Sequence, residues 1–548
     1  MLSDLLLAAV FLGLANHAYF HRFEPKSAHR PFVALAVQPM ALLFILSRAN
    51  DIPIRVFDVL AATTVFLASL SGSIVVYRLS PWHPLAHIPG PVLARISKWW
   101  AVPLLLSGNQ ARVVKALHDQ YGDFVRTGPN EVSIIHADAV KGVFGTGGFQ
   151  KGQYYESRTD PTLPTRSLLT LRGDAHAARR RIWNRGMSSE SLKEYESTLA
   201  TRLGQLLARL DGFVEEGEGA GLVDVAAWFS FLMFDFMGDM AFGGGFEMMR
   251  DGGDKDGLWT IIKSGARNIA TISQVPWIVS TLHFLPAVTQ NTKRLRNFGA
   301  ACARKRYAAG PKEDKDLWYH LMDEEGHEKV KPTVPEVVAD GVLAIIAGSD
   351  TSAVALSAFI WCMLANPAVY KRVQLEVDAV YPDADAVFDS DKHLELVFLT
   401  ACLNETLRLY PPVPSGGPRQ IPSGAARVVA GTLIPEHTQI YVPPYSVHRS
   451  PTHFFPAPET FNPDRWLRAK TEAGICNQAA FIPFSYGAAN CVGKALAWRE
   501  MLMVASALVK RYEMRFADEK EGKRWIDTLE DAFVTNVRGQ LMVELRRR

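Results

Sequence analysis

The sequence predicts a mainly α-helical protein, in which one large helical domain with small β-sheets follows N-terminal transmembrane helices. Apolar residues make up 48% of the 548 residues and charged residues 21%, which excludes a disordered chain and supplies a large core. Segments with helical periodicity are long and frequent, whereas segments with strand-like alternation are short and few. Three apolar stretches lie within the first 80 residues.

The net charge is close to neutral, because 59 Lys and Arg residues face 56 Asp and Glu residues, a difference of +3. This balance gives no reason to expect nucleic acid as a partner, and no basic tail supplies a local excess. Five cysteines in a chain of this length cannot form a disulfide framework. We therefore expect the folded domain to lie in a reducing compartment.

Residues 1–80 are expected to form a membrane anchor. Its apolar stretches are Leu5–Phe20, Pro31–Ser47 and Val59–Tyr77. The second and third contain no charged residue and approach the roughly 20 residues that a helix needs to cross a bilayer. The first is weaker, with Asp4 at its edge and His17 inside it. One to three transmembrane helices are therefore expected, and Val59–Tyr77 is the single span in the simplest interpretation.

The loops of the anchor indicate its orientation. Arg22, Lys26 and Arg30 lie between the first two stretches. Basic residues are retained on the cytoplasmic side of a membrane. With three helices, this loop and everything after Arg78 would lie in the cytoplasm.

A proline-rich segment over residues 81–91 separates the anchor from the body. It runs from Pro81-Trp82-His83-Pro84 to Ile88-Pro89-Gly90-Pro91. Proline fixes φ and lacks an N–H donor, so this segment forms neither a helix nor a central strand. We expect a stiff hinge there, followed by a catalytic domain over residues 92–548.

The body is predicted to be mostly helical. Its helical segments are Ala111–Gln120, Leu192–Leu210, Val223–Phe242, Leu258–Ile269, Val334–Asn366, Pro367–Val380, Leu394–Leu409 and Lys494–Tyr512. Strand pairs are expected in three places, namely Phe124–Thr127 with Glu131–Ile135, Val428–Leu433 with Gln439–Val442, and a terminal hairpin within Phe533–Leu545.

A cysteine stands at the end of a glycine-bearing loop near the C-terminus. Cys491 directly precedes a helical segment, where backbone N–H groups and the helix dipole are expected to lower the pKa of a thiol. Gly487 permits a tight turn, Gly493 allows close approach of a flat group, and Phe484 can shield the sulfur. Such a thiolate suits a nucleophile, a zinc ligand or a haem ligand, and zinc is disfavoured because Cys476 is not at a chelating spacing and no histidine lies nearby. A buried, inert cysteine is an equally supported alternative.

A second candidate lies inside the long apolar helix at 334–366. Gly348 costs about 1 kcal/mol there relative to alanine, so a reason for it is expected. Asp350 and Thr351 then place an acid beside a hydroxyl among apolar neighbours. They could form a proton relay along a widened helix. The alternative is a Gly/Ser kink in which the threonine bonds back to its own helix.

A third candidate consists of Glu405 and Arg408, which share one helix face at i and i+3. Alone, this pair indicates a surface salt bridge worth less than about 1 kcal/mol. The segment Phe461–Trp466, which contains Arg465, alone indicates a turn.

Together these motifs resemble those of the cytochrome P-450 family, and more narrowly its membrane-bound fungal members. The proline hinge, the acid–threonine helix, Glu-x-x-Arg, Pro-x-Arg-Trp and the cysteine loop follow one another in the family's order. The resemblance covers essentially everything after the start of the hinge. Each motif alone is weak, whereas their combination in this order is highly specific.

The resemblance implies the cytochrome P-450 fold and a haem b whose iron takes Cys491 as its axial thiolate ligand. It also implies that Glu405, Arg408 and Arg465 form a buried ionic triad behind the haem.

Cations for the haem propionates are also implied by the resemblance. His176 and Arg180, spaced i and i+4, match the family's helix motif, and Arg419 matches a further propionate-binding arginine. Arg179 and Arg181 lie on other faces of that helix and are expected to face solvent or a partner. One departure is Ala489, because the family has Arg or His two residues before the cysteine.

The implied activity is insertion of one oxygen atom from O2 into a lipophilic substrate, with Asp350 and Thr351 delivering protons. Electrons would come from NADPH through a separate membrane reductase, because the chain has no flavin or NADPH segment. The resemblance also implies attachment to the endoplasmic reticulum, with the catalytic domain facing the cytoplasm. Fungal secondary metabolism, for example of terpenoids, is the expected setting, and aromatic, xenobiotic or fatty substrates stay open.

Two other functions are weighed against this one. A haem-thiolate isomerase or dehydratase would need no reductase, and the Asp350–Thr351 pair argues against it. A non-enzymatic haem sensor is disfavoured by the apolar substrate regions expected over residues 143–171 and 231–284.

Overall fold

The computed structural model describes residues 2–23, 28–51, 53–159, 165–255, 257–282, 286–310, 315–469, 472 and 474–548. Lys26 and parts of both expected substrate regions, at 160–164, 256 and 283–284, lie outside the described residues. The mainly α-helical fold that the sequence predicts is confirmed.

Helices form most of the described chain. The first three are α1 (Leu2–Arg22), α2 (His29–Asn50) and α3 (Val56–Leu79). The body contains α4 (Val92–Ile96), α5 (Ala101–Leu106), α6 (Gln110–Tyr121), α7 (Ala137–Phe144), α8 (Gly173–Gly186), α9 (Ser189–Glu216), α10 (Val225–Phe242), α11 (Met248–Asp251), α12 (Leu258–Ser273), α13 (Val279–Leu282), α14 (Pro286–Ala308), α15 (Leu317–Leu321), α16 (Val334–Ala365), α17 (Pro367–Val380), α18 (Val397–Leu409), α19 (Pro444–Val447), α20 (Asp464–Arg468), α21 (Lys494–Arg511) and α22 (Glu519–Arg524).

The strands are short and, among the described residues, form four small sheets. They are β1 (Phe124–Gly128), β2 (Glu131–Ile134), β3 (Gln150–Lys151), β4 (Gly221–Asp224), β5 (Arg419–Gln420), β6 (Arg427–Val429), β7 (Thr432–Ile434), β8 (Gln439–Tyr441), β9 (Tyr512–Phe516), β10 (Leu529–Ala532), β11 (Val534–Val537) and β12 (Met542–Arg547). The largest sheet has the order β1-β2-β8-β5-β3, in which β2 and β8 run parallel.

Each of the first three helices is long and apolar enough to span a membrane. Helices α1 and α3 cross closely at Gly13, where an added Cβ would lie 2.8 Å from the carbonyl oxygen of Phe66. Between α1 and α2, the Asn16 amide donates a hydrogen bond of 2.5 Å to Gln38, which donates back at 3.2 Å. Small residues and polar pairs of this kind hold helices together in lipid.

Segment 81–91 packs against the body instead of standing apart as a linker. Leu85 and Ile88 are buried in the core beside the largest sheet. The Arg126 N–H donates a hydrogen bond of 2.7 Å to the Pro89 carbonyl, which ties the segment to β1. Burial and this hydrogen bond therefore hold the segment against the body.

Helix α16 is the centre of the body. Thr333 and Glu336 form a capping box at its start, with the Thr333 N–H and hydroxyl donating to the Glu336 carboxylate at 2.9 and 2.8 Å. The helix then packs on α10, α14, α18 and α21. Helices α10 and α16 are also apolar enough to span a membrane, but they are mostly buried inside the body.

The predicted hairpin of β1 and β2 is confirmed, whereas the other two predicted strand pairings are wrong. Strand β6 pairs with β7, because Ala430 and Gly431 both take positive φ and close the chain into a tighter turn. Strand β8 joins the largest sheet instead. Phe533, at φ 75°, turns β10 into β11, and β12 lies between β4 and β9.

Candidate active site

A cavity of about 900 Å³ lies between α16, α12, α14 and the cysteine loop. Its walls are mostly apolar, as in sites that bind small lipophilic molecules. Polar groups reach it at the α16 wall and along one border, and further arginines, among them Arg158, Arg166, Arg296 and Arg304, also line it. The cysteine loop closes one side of the cavity.

Cys491 lines this cavity and lies between a short turn at Gly487–Ala489 and the start of α21. Its backbone N–H donates a hydrogen bond of 2.9 Å to the carbonyl of Phe484, which fixes the loop. The side chain is exposed where it lines the cavity. The thiol is therefore accessible to a group that occupies the cavity.

The thiol differs from the prediction in its pKa. Burial raises the pKa of Cys491, and it outweighs the lowering effects of the Gly493 backbone N–H and the Arg180 charge. The predicted lowering by the helix start is therefore wrong in direction. A metal ion that takes this sulfur as a ligand would supply the charge that favours a thiolate.

The two glycines of the loop differ in why a side chain is absent there. Gly487 takes φ 73°, and an added Cβ there would lie 1.8 Å from the carbonyl oxygen of Phe144. A Cβ on Gly493 would meet no atom within 4 Å and would point into open space at the cavity wall. Phe484 also lines the cavity, with its ring 6.4 Å from that of Trp498. The missing side chain at Gly493 thus leaves open space at the cavity wall near Cys491.

The α16 wall carries Thr351 but not its neighbour. Thr351 lines the cavity, and its hydroxyl donates a hydrogen bond of 2.6 Å to the Ala347 carbonyl one turn earlier. This back-bonded threonine is the alternative that the sequence left open. Gly348 also lines the cavity, and an added Cβ would lie 2.7 Å from the Met237 sulfur, so close packing on α10 explains this glycine.

Asp350 lies on a different face of α16. Successive helix residues are about 100° apart, so the Asp350 and Thr351 side chains point in different directions. Asp350 lines a small separate pocket with Lys263 and Ser230. Enclosure raises the pKa of Asp350 to about 6, and the Lys263 charge opposes the shift. The structure therefore separates the acid and hydroxyl that the sequence places side by side.

A second buried acid, which the sequence analysis missed, lies at the cavity wall. Glu500 on α21 accepts a hydrogen bond of 2.5 Å from the Ser352 hydroxyl on α16. Both residues line the cavity next to Thr351. Burial raises the pKa of Glu500 to about 7, so this carboxyl exchanges its proton near neutral pH.

Four basic side chains line one border of the cavity, namely Lys151, His176, Arg180 and Arg419. Arg180 donates to the Asn490 backbone carbonyl and side-chain oxygen, each at 2.7 Å, beside Cys491. Arg419 is buried, and its Nε has no hydrogen-bond partner in the described chain. The predicted propionate residues thus lie together around the cysteine.

The positive charges along this border favour the binding of an anion. Burial, assisted by the charges of Lys151, Arg180 and Arg419, lowers the pKa of His176 to about 4. Within the described ranges, no carboxylate forms an ion pair with any of the four basic residues. A haem fits this arrangement, because it brings two carboxylates to the border and an iron for the thiol.

Glu405, Arg408 and Arg465 form a buried ion-pair network. Arg408 contacts the Glu405 carboxylate twice at 2.8 Å, and Arg465 contacts it at 3.0 Å. All three side chains are fully buried. The surface-pair interpretation of Glu405 and Arg408 is therefore wrong.

The expectation that Arg179 faces solvent or a partner is wrong. Its side chain is buried, where it pairs with Asp340 at 2.9 Å and with Glu336. The pair joins α8 to the first turns of α16. Arg181 is exposed as expected and lies 3.4 Å from Glu328.

Comparisons with known proteins agree with this geometry. A family model of cytochrome P-450 matches residues 89–542. Tryprostatin B 6-hydroxylase from Aspergillus fumigatus is 30% identical, over 99% of this chain and 96% of that protein. Cytochrome P-450 monooxygenase FCK2 from Fusarium pseudograminearum is 31% identical, over 95% of this chain and 94% of that protein. The chain therefore belongs to the cytochrome P-450 family of haem-thiolate monooxygenases.

Proposed function

We propose that the chain inserts one oxygen atom from O2 into a C–H bond of a lipophilic fungal secondary metabolite, with electrons from an NADPH reductase. One observation carries the proposal. The Cys491 thiol, the Thr351 hydroxyl and a border of basic side chains face one mostly apolar cavity of about 900 Å³.

The residues that would hold haem b are Cys491 as the axial ligand and His176, Arg180 and Arg419 as propionate partners. Gly493 and Phe484 would flank the ring on the cysteine side. When bound, a thiolate-ligated haem supplies the dioxygen activation that amino-acid side chains cannot supply. The chain contributes position, exclusion of water and control of protons.

Proton control is assigned to the α16 wall. The Thr351 hydroxyl can turn from the Ala347 carbonyl toward a group in the cavity, because both positions are within reach of one rotatable bond. The hydrogen-bonded Ser352 hydroxyl and Glu500 carboxyl line the same cavity and can resupply a proton. Asp350 would take part only after leaving the Lys263 pocket, so Glu500 is the favoured proton source.

The substrate side is formed by apolar residues of α12, α14 and α16, with Phe533 from the turn after β10. This lining favours a lipophilic molecule with few polar groups. The relative named tryprostatin B 6-hydroxylase supports hydroxylation as the reaction. The substrate class that we propose is a lipophilic natural product, for example a terpenoid.

The reductase would dock on the cysteine side of the body, where Lys494 is exposed at the start of α21. Attachment through α1, α2 and α3 would place the catalytic domain on the cytoplasmic face of the endoplasmic reticulum. There, a membrane-bound reductase and lipophilic substrates meet the enzyme in the same compartment.

The test is reconstitution of the full chain with an NADPH reductase in vesicles, under ¹⁸O2, with a panel of lipophilic natural products. We expect NADPH-dependent products that carry one ¹⁸O atom. Products formed equally without NADPH, and without label, would instead establish an isomerase or dehydratase. Absence of any oxygenated product across a broad panel would contradict the proposal.

A further inference from the structure

Arg158 lines the cavity together with Phe533, the residue that turns β10 into β11. It ends a short helical turn over Gln153–Arg158. Its guanidinium lies over the Phe533 ring, 4.0 Å from the ring centre, and 5.2 Å from the centre of the Tyr154 ring. An arginine that is stacked on aromatic rings keeps a fixed orientation while the N–H groups at its edge can still donate. The two rings therefore hold this positive charge in place at the cavity.

Protein groups use little of the hydrogen-bonding capacity of Arg158. A guanidinium can donate several hydrogen bonds. Within the described ranges, Arg158 donates one, of 3.1 Å, to the Tyr154 hydroxyl. Its Nε is buried and has no hydrogen-bond partner in that part of the chain. Burial raises the pKa of Tyr154, so this phenol is neutral and supplies no counter-charge.

The described carboxylate that lies closest in sequence is paired with other arginines. Glu156 stands two residues before Arg158, but it accepts hydrogen bonds from Arg166 at 2.9 Å and from Arg172 at 2.6 Å. Among the described residues, no carboxylate lies within ion-pair distance of Arg158. The charge of Arg158 is therefore left without a counter-charge from these protein groups.

A carboxylate in the cavity would satisfy this side chain. An unpaired charge beside mostly apolar walls is unfavourable. A guanidinium and a carboxylate form two parallel N–H···O bonds in one plane, whereas a neutral acceptor would leave the charge unpaired. Because the Phe533 ring covers one face of the guanidinium, a carboxylate would approach its edge. The apolar walls of the cavity would take up the rest of the molecule.

We propose that Arg158 binds a carboxylate of the substrate and that the chain therefore acts on lipophilic acids. The inference deepens the proposed function and rests on it, because it names the class of molecule that the cavity takes. Binding forms no covalent bond. The acid binds as its anion, and both carboxylate oxygens accept hydrogen bonds from the edge of Arg158. Holding one end of the substrate in this way limits which of its C–H bonds can reach the Cys491 side of the cavity.

The test measures equilibrium binding of radiolabelled probes to the full-length protein, by dialysis at one fixed detergent concentration. The probes are dodecanoic acid and abietic acid, and each is compared with the primary alcohol of the same carbon skeleton. We expect wild type to bind at least one acid more tightly than its alcohol. Arg158→Met should weaken binding of that acid by about 10- to 100-fold, because charge-assisted hydrogen bonds are lost, and should leave binding of the alcohol unchanged.

Further variants distinguish recognition of the charge from a change in structure. Arg158→Lys keeps the charge but lacks the planar pair of donors, so its affinity for the acid should lie between those of wild type and Arg158→Met. Arg158→Glu should reverse the preference and bind dodecylamine more tightly than dodecanoic acid, which a folding defect would not produce. Arg112→Met, at an exposed position of α6, is the matched control and should leave all affinities unchanged.

The outcomes separate this inference from the proposed function. If neither acid binds wild type more tightly than its alcohol, or if Arg158→Met weakens binding of acid and alcohol equally, the role of Arg158 is overturned. The proposed function would still stand if neutral substrates gave ¹⁸O-labelled products. Conversely, acid binding that depends on Arg158, without any labelled product, would overturn the proposed function and leave the carboxylate site in place.

Discussion

Ser352 on α16 donates a hydrogen bond of 2.5 Å to Glu500 on α21, and both residues line the cavity together with Thr351. This pair links the central helix to the helix that begins beside Cys491. It gives the cavity a carboxyl that titrates near neutral pH. The acid expected from the sequence, Asp350, lies instead in the Lys263 pocket.

The first prediction distinguishes these two acids. Glu500→Gln keeps the hydrogen-bonding shape of the side chain but cannot release a proton. We expect product formation to slow by about 100-fold, at the low end of general acid–base contributions, with more NADPH consumed per product. Asp350→Asn should have a smaller effect, because Asp350 does not line the cavity. Product and NADPH are measured together, and the reverse order of effects would assign the relay to Asp350.

The second prediction concerns Thr351. Thr351→Ala removes the hydroxyl that faces the cavity but leaves the helix intact, since the hydroxyl only bonds back to Ala347. We expect haem binding to persist while electron use uncouples from product, so hydrogen peroxide rises. Thr351→Ser is the matched variant and should stay coupled. Equal product per NADPH in Thr351→Ala and wild type would contradict the role.

The sequence predicts those parts of the site whose residues lie close together in the chain. The cysteine loop and Glu405-x-x-Arg408 are local patterns, so their residues were identified correctly as neighbours. The directions in which the Asp350 and Thr351 side chains point depend on the rotation of α16 about its axis. This rotation is set by packing on α10 and not by local sequence. Glu500 begins a long apolar run and, in sequence, cannot be distinguished from a surface residue of an amphipathic helix.

Pairings between strands that are far apart in the chain could likewise not be predicted from the sequence. The hairpin of β1 and β2 was predictable, because a turn signal lies between two short strands. The β3–β5 pair brings together residues that are far apart in the chain, and each strand has two residues. Such short strands carry no periodicity, so Lys151 could not be placed beside Arg419 from sequence.

The third prediction concerns stability and pH. Burial raises the pKa of Glu500 from 4.5 to about 7, so the folded protein binds one more proton than the unfolded chain between these pH values. The free energy of unfolding therefore decreases as pH rises through this window, by about 3 kcal/mol in total. Glu500→Gln lacks this term. The thermal midpoint of wild type, relative to that of the variant, should therefore be higher at pH 5 than at pH 8. A difference between the two midpoints that stays constant with pH would contradict this prediction.

The fourth prediction concerns the buried network of Glu405, Arg408 and Arg465. Glu405→Gln leaves two buried arginines without their counter-charge, which costs about 3–5 kcal/mol. We expect little folded holoprotein and a lower thermal midpoint. Glu472→Gln, which removes the exposed partner of Arg468, is the matched control and should change stability by less than about 1 kcal/mol. Similar midpoints for both variants would show that the network contributes little.

The last prediction concerns Cys491 itself. The thiol faces the cavity and the basic border, while the other cysteines lie elsewhere in the body. Cys491→Ala removes the sulfur without adding bulk, so a haem held by the propionate contacts alone could still bind in the cavity. We expect the reduced carbon monoxide complex of this variant to lack the thiolate-type Soret band, and NADPH-dependent product to be lost. Cys476→Ala, in the bridge to Phe454, is the control and should keep both. A thiolate-type band that survives in Cys491→Ala but disappears in Cys476→Ala would show that Cys476, and not Cys491, is the iron ligand. The proposed orientation of the haem in the cavity would then be wrong as well.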